Sequence, residues 1–232
     1  MAAFEESQAS SLEPLLSGWG VTWSSTQFVA DLGQALQVSI QQGRPPVRHP
    51  GIVGVTRDFM NGEDVTTGEL DAINLASAGF LELDEESGLR LDPLLQSSGQ
   101  SGLLDAERLR FLADPGELAD EMGVTGQRYT LAARLSGPVT SAFPEQAEIG
   151  AGELNAIVVA DTDLLADRFW VQRQRFFGTV LTEPFASNGD FVINAIDNLI
   201  GNADLISVRS RGVSSRPFVL VDSLRREAER NL

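Results

Sequence analysis

The sequence predicts an α/β domain built around a largely parallel sheet. Residues 155–160 form a continuous apolar run, residues 188–200 have an amphipathic pattern, and short strand-like and helix-like segments alternate before them. Continuous apolar strands are typical of parallel sheets buried on both faces, and alternating strands and helices are typical of their connections. We therefore expect residues 155–160 to form a central strand, with a helix over 190–200 packed against it.

Shorter elements are predicted before residue 155, where glycine and proline punctuate the chain. A capping-box pattern predicts a helix over 10–19, and a proline in the first turn predicts another over 114–122. The apolar and alternating patterns predict strands at 21–23, 28–30, 36–40, 52–55, 89–96 and 129–135. Residues 70–83 fit either a helix or a strand, and we favour a strand because the glycines in and around this segment argue against a long helix. Residues 97–102, rich in serine and glycine, predict a flexible loop.

The pattern as a whole predicts one domain over residues 10–208 and a tail over 209–232. Residues 136–152 are polar and contain two prolines, so we expect a mobile loop there. The tail begins as a basic, serine-containing loop and continues as a charged helix over 222–231. That helix has only Leu224 and Ala228 as an apolar seam, so it would gain little from packing on its own domain.

Composition excludes several classes of function. The chain of 232 residues contains no cysteine, a single histidine and 17 basic residues, all of them arginine. These counts exclude disulfides, cysteine nucleophiles, three-histidine zinc sites and the lysine-containing P-loop of an ATPase. A net charge of -16 repels the phosphates of nucleic acid, so we expect no nucleic-acid partner.

The sequence offers no membrane segment of its own. Its start has neither the basic residues nor the apolar core of a signal peptide, and its longest apolar run is far below the ~18 residues that a span needs. Taken alone, these features predict a cytoplasmic protein. If the chain is a piece of a longer protein, they say only that any membrane segments lie outside it.

Asp161 and Asp163 follow the predicted central strand. Two carboxylates at the carboxyl end of a strand occupy the position where α/β sheets place ligands and metals, so a Mg²⁺-dependent phosphoryl-transfer site is one interpretation. The other, which we favour, is that the two aspartates cap the following helix.

A second candidate ligand site lies in the basic loop. Its arginines and serines are of the kind that bind a phosphate or another anion. The alternative, which we favour, is that the arginines pair with the protein's own abundant carboxylates. The residues concerned are Arg209, Arg211, Ser214, Ser215 and Arg216.

Several segments of the chain resemble a known family. The strongest are residues 155–172, 176–178, 184–198, 204–207 and 211–217, with looser agreement at 15–21, 94–98 and 128–134. They resemble the GldG-like auxiliary proteins of uncharacterised ABC-type transport systems, some of which are linked with gliding motility. The resemblance spans nearly the whole chain.

The resemblance implies a fold, a location and partners. The fold would be flavodoxin-like, similar to class I glutamine amidotransferases, and this chain would lack its first strands. The domain would lie on the extracytoplasmic, periplasmic face of the inner membrane, between membrane helices outside this chain, with an ABC permease and an ATPase as partners. The tail over 209–232 would then be membrane-proximal.

These observations together favour a non-catalytic interaction domain of a membrane-anchored auxiliary subunit in an ABC-type export system. The nucleophilic cysteine of the amidotransferases is missing, so we expect no such chemistry, no catalytic residue, no metal and no cofactor. Two alternatives stay open. One is a module that binds a sugar or another small ligand in the crevice at the carboxyl ends of the strands. The other is the phosphoryl-transfer enzyme that would use Asp161 and Asp163.

Overall fold

The computed structural model describes residues 12–39, 45–176 and 179–201. The helices in this part of the chain are α1 (Glu13–Gly18), α2 (Glu107–Arg110), α3 (Gly116–Glu121) and α4 (Asn188–Leu199). The strands are β1 (Val21–Thr22), β2 (Gln27–Asp31), β3 (Ala35–Val38), β4 (Val47–Thr56), β5 (Ala72–Ala76), β6 (Glu82–Leu83), β7 (Arg90–Gln96), β8 (Ser101–Asp105), β9 (Thr130–Thr140), β10 (Ala151–Val159), β11 (Val171–Phe176) and β12 (Thr179–Pro184).

The largely parallel sheet is a wrong prediction. Within the described residues, the strands form two three-stranded sheets, in the orders β3-β4-β5 and β10-β9-β7, and three two-stranded pairs, β1-β6, β2-β8 and β11-β12. Every one of these pairings is antiparallel. The flavodoxin-like and amidotransferase-like architecture, which needs parallel strands joined through helices, is therefore excluded.

Residues 155–160 are not a central strand. Residues 155–159 belong to β10, and Ala160 follows it. Among the described strands, β10 lies at the edge of its sheet and pairs with β9 alone, with Ile157 opposite Arg134. The apolar run is explained by two different neighbours. Ile157 and Val159 pack against the main core, an apolar cluster that includes Ile73, Leu95 and Leu131. Val158 packs against a second apolar cluster that contains Leu16. A strand with a core on each face has the same continuous apolar pattern as a parallel interior strand.

The helix predicted over 190–200 is confirmed as α4. Its Phe191 is almost fully buried in the main core beside Ile73 of β5. At its start the amide of Asn188 donates to the carbonyl of Asn74 at 2.7 Å and accepts from the Asn74 N–H at 3.0 Å. Gly201, with φ +87°, follows the last turn, where a left-handed residue commonly ends a helix. α4 is thus fixed to β5 by both packing and hydrogen bonds.

Most of the shorter predicted strands and helices are confirmed, but the strand favoured over 70–83 is instead two short strands of different sheets, β5 and β6, and two loops differ from the prediction. Residues 97–102 were expected to form a loop, yet β8 begins at Ser101 and pairs with β2. The loop expected over 136–152 is shorter, because β9 extends to Thr140 and β10 begins at Ala151. The expected domain end near 208 and the tail over 209–232 lie outside the described residues.

A largely buried ion pair connects β9 to the segment before β5. Arg134 donates from Nε to Asp64 Oδ2 at 2.8 Å and from Nη2 to Asp64 Oδ1 at 3.0 Å. The two side chains are only 14% and 11% exposed. Thr66 adds a hydrogen bond from its N–H to Asp64 Oδ1 at 2.9 Å. This bidentate contact fixes the position of the 61–70 segment against the sheet.

Candidate functional site

A cleft with a volume of about 660 Å³ lies in the described part of the chain. It is lined by the carboxyl ends of β5 and β10, the loop between β1 and β2, the beginning of α2, and residues at α1. Asp161 and Asp163, which follow β10, both line this cleft, so the sequence located two of its residues.

Asp161 holds two loops together at the cleft. Its Oδ2 accepts the backbone N–H of Ala76 at 2.8 Å, and its Oδ1 accepts the backbone N–H of Asp163 at 2.6 Å. The first bond links the end of β10 to the end of β5, and the second closes a tight turn within 161–163. The carboxylate therefore gives two loop N–H groups an acceptor where the strands end.

Ser77, beside this contact, has a strained backbone. Its φ of +50° is the one positive value at a non-glycine residue among those the structure describes. Its N–H donates to the carbonyl of Gly51 at 2.7 Å, and its hydroxyl donates to the carbonyl of Ala76 at 2.7 Å. A left-handed conformation at a serine costs free energy, and surrounding contacts must hold it in place. Together with Asp161, these bonds fix one wall of the cleft.

Burial raises the pKa of Asp161 to about 6. The N–H groups of Ala76 and Asp163 oppose this change, because they favour the charged form, whereas the nearby carboxylate of Asp163 adds to it. A carboxyl group with such a pKa changes its charge close to neutral pH. Residues with strongly shifted pKa values that lie in a cleft are often part of a functional site.

Asp163 is engaged in an ion pair. Its Oδ1 accepts a hydrogen bond from Arg168 Nη2 at 2.9 Å. The two aspartates do not cap a helix as expected, because residues 161–166 form a turn and only a short 3₁₀ segment, Asp167–Phe169, follows. The described residues also contain no group of three or more His, Cys, Asp or Glu side chains arranged to hold a metal ion.

The cleft is mainly apolar at its base and polar at its rim. Leu16, Leu81 and Val158 belong to one apolar cluster, which Trp23 also contacts, and all four line the cleft. Hydroxyl groups and carboxylates surround this base. Asp105 and Glu107 also line the cleft, and the single basic residue among the described lining residues is Arg110.

The second predicted ligand site is not part of this geometry. Arg209, Arg211, Ser214, Ser215 and Arg216 lie outside the described residues. Their role in binding an anion stays a prediction.

The chain matches the model of a family described as an ABC-type uncharacterized transport system, over residues 2–195. It belongs to this family. No curated protein and no solved structure gives a significant match to the chain. Membership in this auxiliary family of ABC-type transport systems implies association with transporter components and is consistent with an accessory role. None of the helices in the described part of the chain combines the length and apolar character needed to cross a bilayer.

Some residues that line the cleft of this transport-system protein could not be identified from the sequence. Ser77 and Trp23 come from loops far from Asp161 in the chain, and only the fold brings them to one cleft. Ser77 has no local signal, because its conformation depends on the Gly51 carbonyl and on Asp161. Trp23 is half-buried against an apolar cluster.

Proposed function

We propose that this chain is a non-catalytic, extracytoplasmic part of a membrane-anchored auxiliary subunit in an ABC-type export system. The match of residues 2–195 to a family of ABC-type transport systems carries the proposal. The resemblance of residues 155–172 and 184–198 to the GldG-like branch supports the membrane anchor, the periplasmic location and a link with gliding motility. On this proposal the subunit acts by binding another component of the system.

A non-catalytic role is supported by what the candidate carboxylates do. Asp161 accepts two backbone N–H groups, and Asp163 pairs with Arg168. These contacts give both side chains a structural task at the end of β10. A phosphoryl-transfer site would instead require their oxygens to face a metal ion and a phosphate.

The exposed side of α4 is the surface that best suits a protein partner. Ile193, Ile196 and Ile200 are 47%, 55% and 66% exposed and follow one another at spacings of three and four residues. They form an apolar stripe on the side of the helix opposite the buried Phe191 and Ala195. Contiguous exposed apolar side chains commonly mark an interaction surface.

The permease is the partner to which we assign this stripe. In an extracytoplasmic domain, α4 would lie on the opposite side of the membrane from the ATPase, which hydrolyses cytoplasmic ATP. Of the two expected partners, only the permease would expose a surface on the same side. The ATPase would therefore join the complex through the permease.

Replacing Ile196 and Ile200 together with lysine is expected to weaken capture of the permease about 10-fold, because both apolar anchors would be lost. The tagged full-length protein is co-expressed with the ABC permease and ATPase whose genes we expect beside its own. The complex is purified from solubilised membranes, and the amount of permease is measured by quantitative immunoblot.

Ile149→Lys is the matched control for this experiment. Ile149 is an exposed isoleucine, 78% accessible, in the loop between β9 and β10, and its replacement should leave capture unchanged. Failure of the unchanged protein to capture the permease would contradict the proposed function. Equal loss in the control and the double variant would contradict the assignment of the interface to α4.

The proposed location predicts that an exposed side chain is labelled from outside the cell. Glu86 lies exposed in the turn between β6 and β7, and the chain contains no native cysteine that would react. In the full-length protein, Glu86→Cys should react with an impermeant maleimide in intact spheroplasts, whereas Ala133→Cys, at a fully buried position, should not. Labelling of Glu86→Cys only after lysis would place the domain in the cytoplasm.

A second candidate function, a module that binds a sugar or another small ligand, is supported by the cleft. Its volume of about 660 Å³ falls in the ordinary range of ligand pockets. It also lies at the carboxyl ends of two strands, β5 and β10. This function is compatible with an accessory subunit, since such a subunit can both bind the permease and hold a ligand.

A further inference from the structure

The base of the cleft suits the apolar part of a ligand. Leu16, Leu81 and Val158 present aliphatic surface, and Trp23 adds an indole ring. Small-ligand pockets are lined predominantly by such side chains, with a few polar groups that orient the ligand. A ligand with only polar surface, such as a free sugar, would leave this base without a matching partner.

The polar groups of the cleft favour a positive charge. Four carboxylates line it: Asp161 and Asp163 after β10, Asp105 at the end of β8, and Glu107 at the beginning of α2. Of these, Asp163 is already paired with Arg168. Arg110 is the one basic side chain among the described lining residues. The chain as a whole carries a charge of -16, which concentrates cations near its surface.

Asp161 has hydrogen-bonding capacity to spare. A carboxylate has about four acceptor positions, and the backbone N–H groups of Ala76 and Asp163 occupy one position on each oxygen. An N–H donor of a ligand can therefore bond to the same carboxylate without displacing either loop. The two loop bonds also fix the direction of the carboxylate, so less freedom is lost when a ligand binds.

We propose that this cleft binds a small molecule that joins an apolar body to a protonated amine or guanidine, with the cation bonded to Asp161. Trp23 supports the same chemistry, because an indole face attracts a cation that lies over it. The inference deepens the second candidate function, small-ligand binding, and does not depend on the contact between α4 and the permease.

The test compares three head groups on one tail. Octylammonium, octyl glucoside and octanoate are titrated into the protein at pH 7.5 by isothermal titration calorimetry. The amine is fully protonated at this pH, as a lysine with its pKa of about 10.4 would be. We expect octylammonium to bind about 10-fold more tightly than octyl glucoside, with octanoate weakest, because only the amine forms a charge-assisted bond to a carboxylate.

Variants of residues that line the cleft test whether the ligands bind there. Asp161→Asn should weaken the affinity for octylammonium about 10-fold and leave the affinity for octyl glucoside unchanged. The control Asp92→Asn, which alters a carboxylate on β7, should change neither affinity. Ser25 is an exposed residue that lines the cleft, so Ser25→Trp should prevent binding of all three ligands by filling the mouth of the cleft. Circular dichroism checks that each variant is folded. If Asp161→Asn does not fold, Glu107→Gln takes its place, with a smaller loss of octylammonium binding expected.

Each unfavourable outcome has a separate meaning. If none of the three compounds binds, both the inference and the ligand-binding function fail. If octyl glucoside or octanoate binds as tightly as octylammonium, ligand binding stands and the preference for a cation is wrong. If Ser25→Trp leaves the amine bound, the amine is held elsewhere and the inference fails.

Discussion

Replacing Arg134 with methionine is expected to lower the free energy of unfolding by about 3–5 kcal/mol. Methionine keeps much of the volume and apolar stem of arginine but removes its charge and its two hydrogen bonds to Asp64. Asp64 would remain with its side chain only 11% exposed and without its cation. A buried carboxylate that loses its partner costs far more than a surface ion pair contributes.

The same contact makes part of the stability depend on pH. Burial alone would raise the pKa of Asp64, but the hydrogen bonds from Arg134 and Thr66 outweigh it and hold this pKa below 3.8. A carboxyl group with a lowered folded pKa stabilises the protein at pH values above its unfolded pKa. That contribution is lost as the pH falls through the folded value. The effect of Arg134→Met should therefore shrink in strong acid.

Urea unfolding followed by circular dichroism measures the change at pH 7. Arg90→Met is the matched control, because Arg90 also pairs with an aspartate, Asp92, but its side chain is 73% exposed. We expect the control to lose less than about 1 kcal/mol. A loss of the same small size in Arg134→Met would show that Asp64 finds enough solvent or other donors, and would contradict the role of the ion pair.

The sequence could predict the elements that have strong local signals. α4 is such an element, because its apolar positions repeat at helical spacing and Gly201 follows its last turn. α3 is another, since Pro115 directly precedes its first residue. In both cases the residues that decide the structure lie within one or two turns of each other.

The arrangement of the strands could not be predicted in the same way. β10 shows why: Ile157 and Val158 point to different apolar clusters, and no local pattern distinguishes this situation from burial in a parallel sheet. β8 was missed for a related reason. Its residues Ser101 and Gly102 resemble a loop, yet Ser101 is fully buried, and its hydroxyl is bonded to Ser97 at 2.9 Å.

The candidate site was predicted in part. Asp161 and Asp163 were singled out because they follow an apolar strand, and that strand end does line the cleft. Their contacts were not predictable, since Asp161 bonds to Ala76, which lies 85 residues away in the chain. The family resemblance indicated transport, but the fold that it implied was wrong, so resemblance and architecture have to be assessed separately.

The titration of Asp161 is expected to lower the free energy of unfolding by about 2–3 kcal/mol as the pH rises from 4 to 7. Its pKa is raised from 3.8 to about 6, and each pKa unit corresponds to about 1.4 kcal/mol. Because the folded protein binds this proton more tightly than the unfolded chain does, its stabilising contribution is complete below about pH 4. It decreases as the pH rises and is lost above about pH 6.

Asp161→Asn isolates this effect, because asparagine does not titrate. The variant loses one of the two acceptors for the N–H groups of Ala76 and Asp163, which shifts its whole stability curve by a constant amount. The informative quantity is the difference in unfolding free energy between the unchanged protein and the variant, measured in urea at several values from pH 4 to 7. Relative to the variant, the unchanged protein should lose about 2–3 kcal/mol over this range. Thr162→Ala alters the same turn but keeps the carboxylate, so its curve should run parallel to that of the unchanged protein. Parallel curves for Asp161→Asn as well would mean that the carboxyl group titrates alike in the folded and unfolded states, and that the cleft does not hold it in a dry environment.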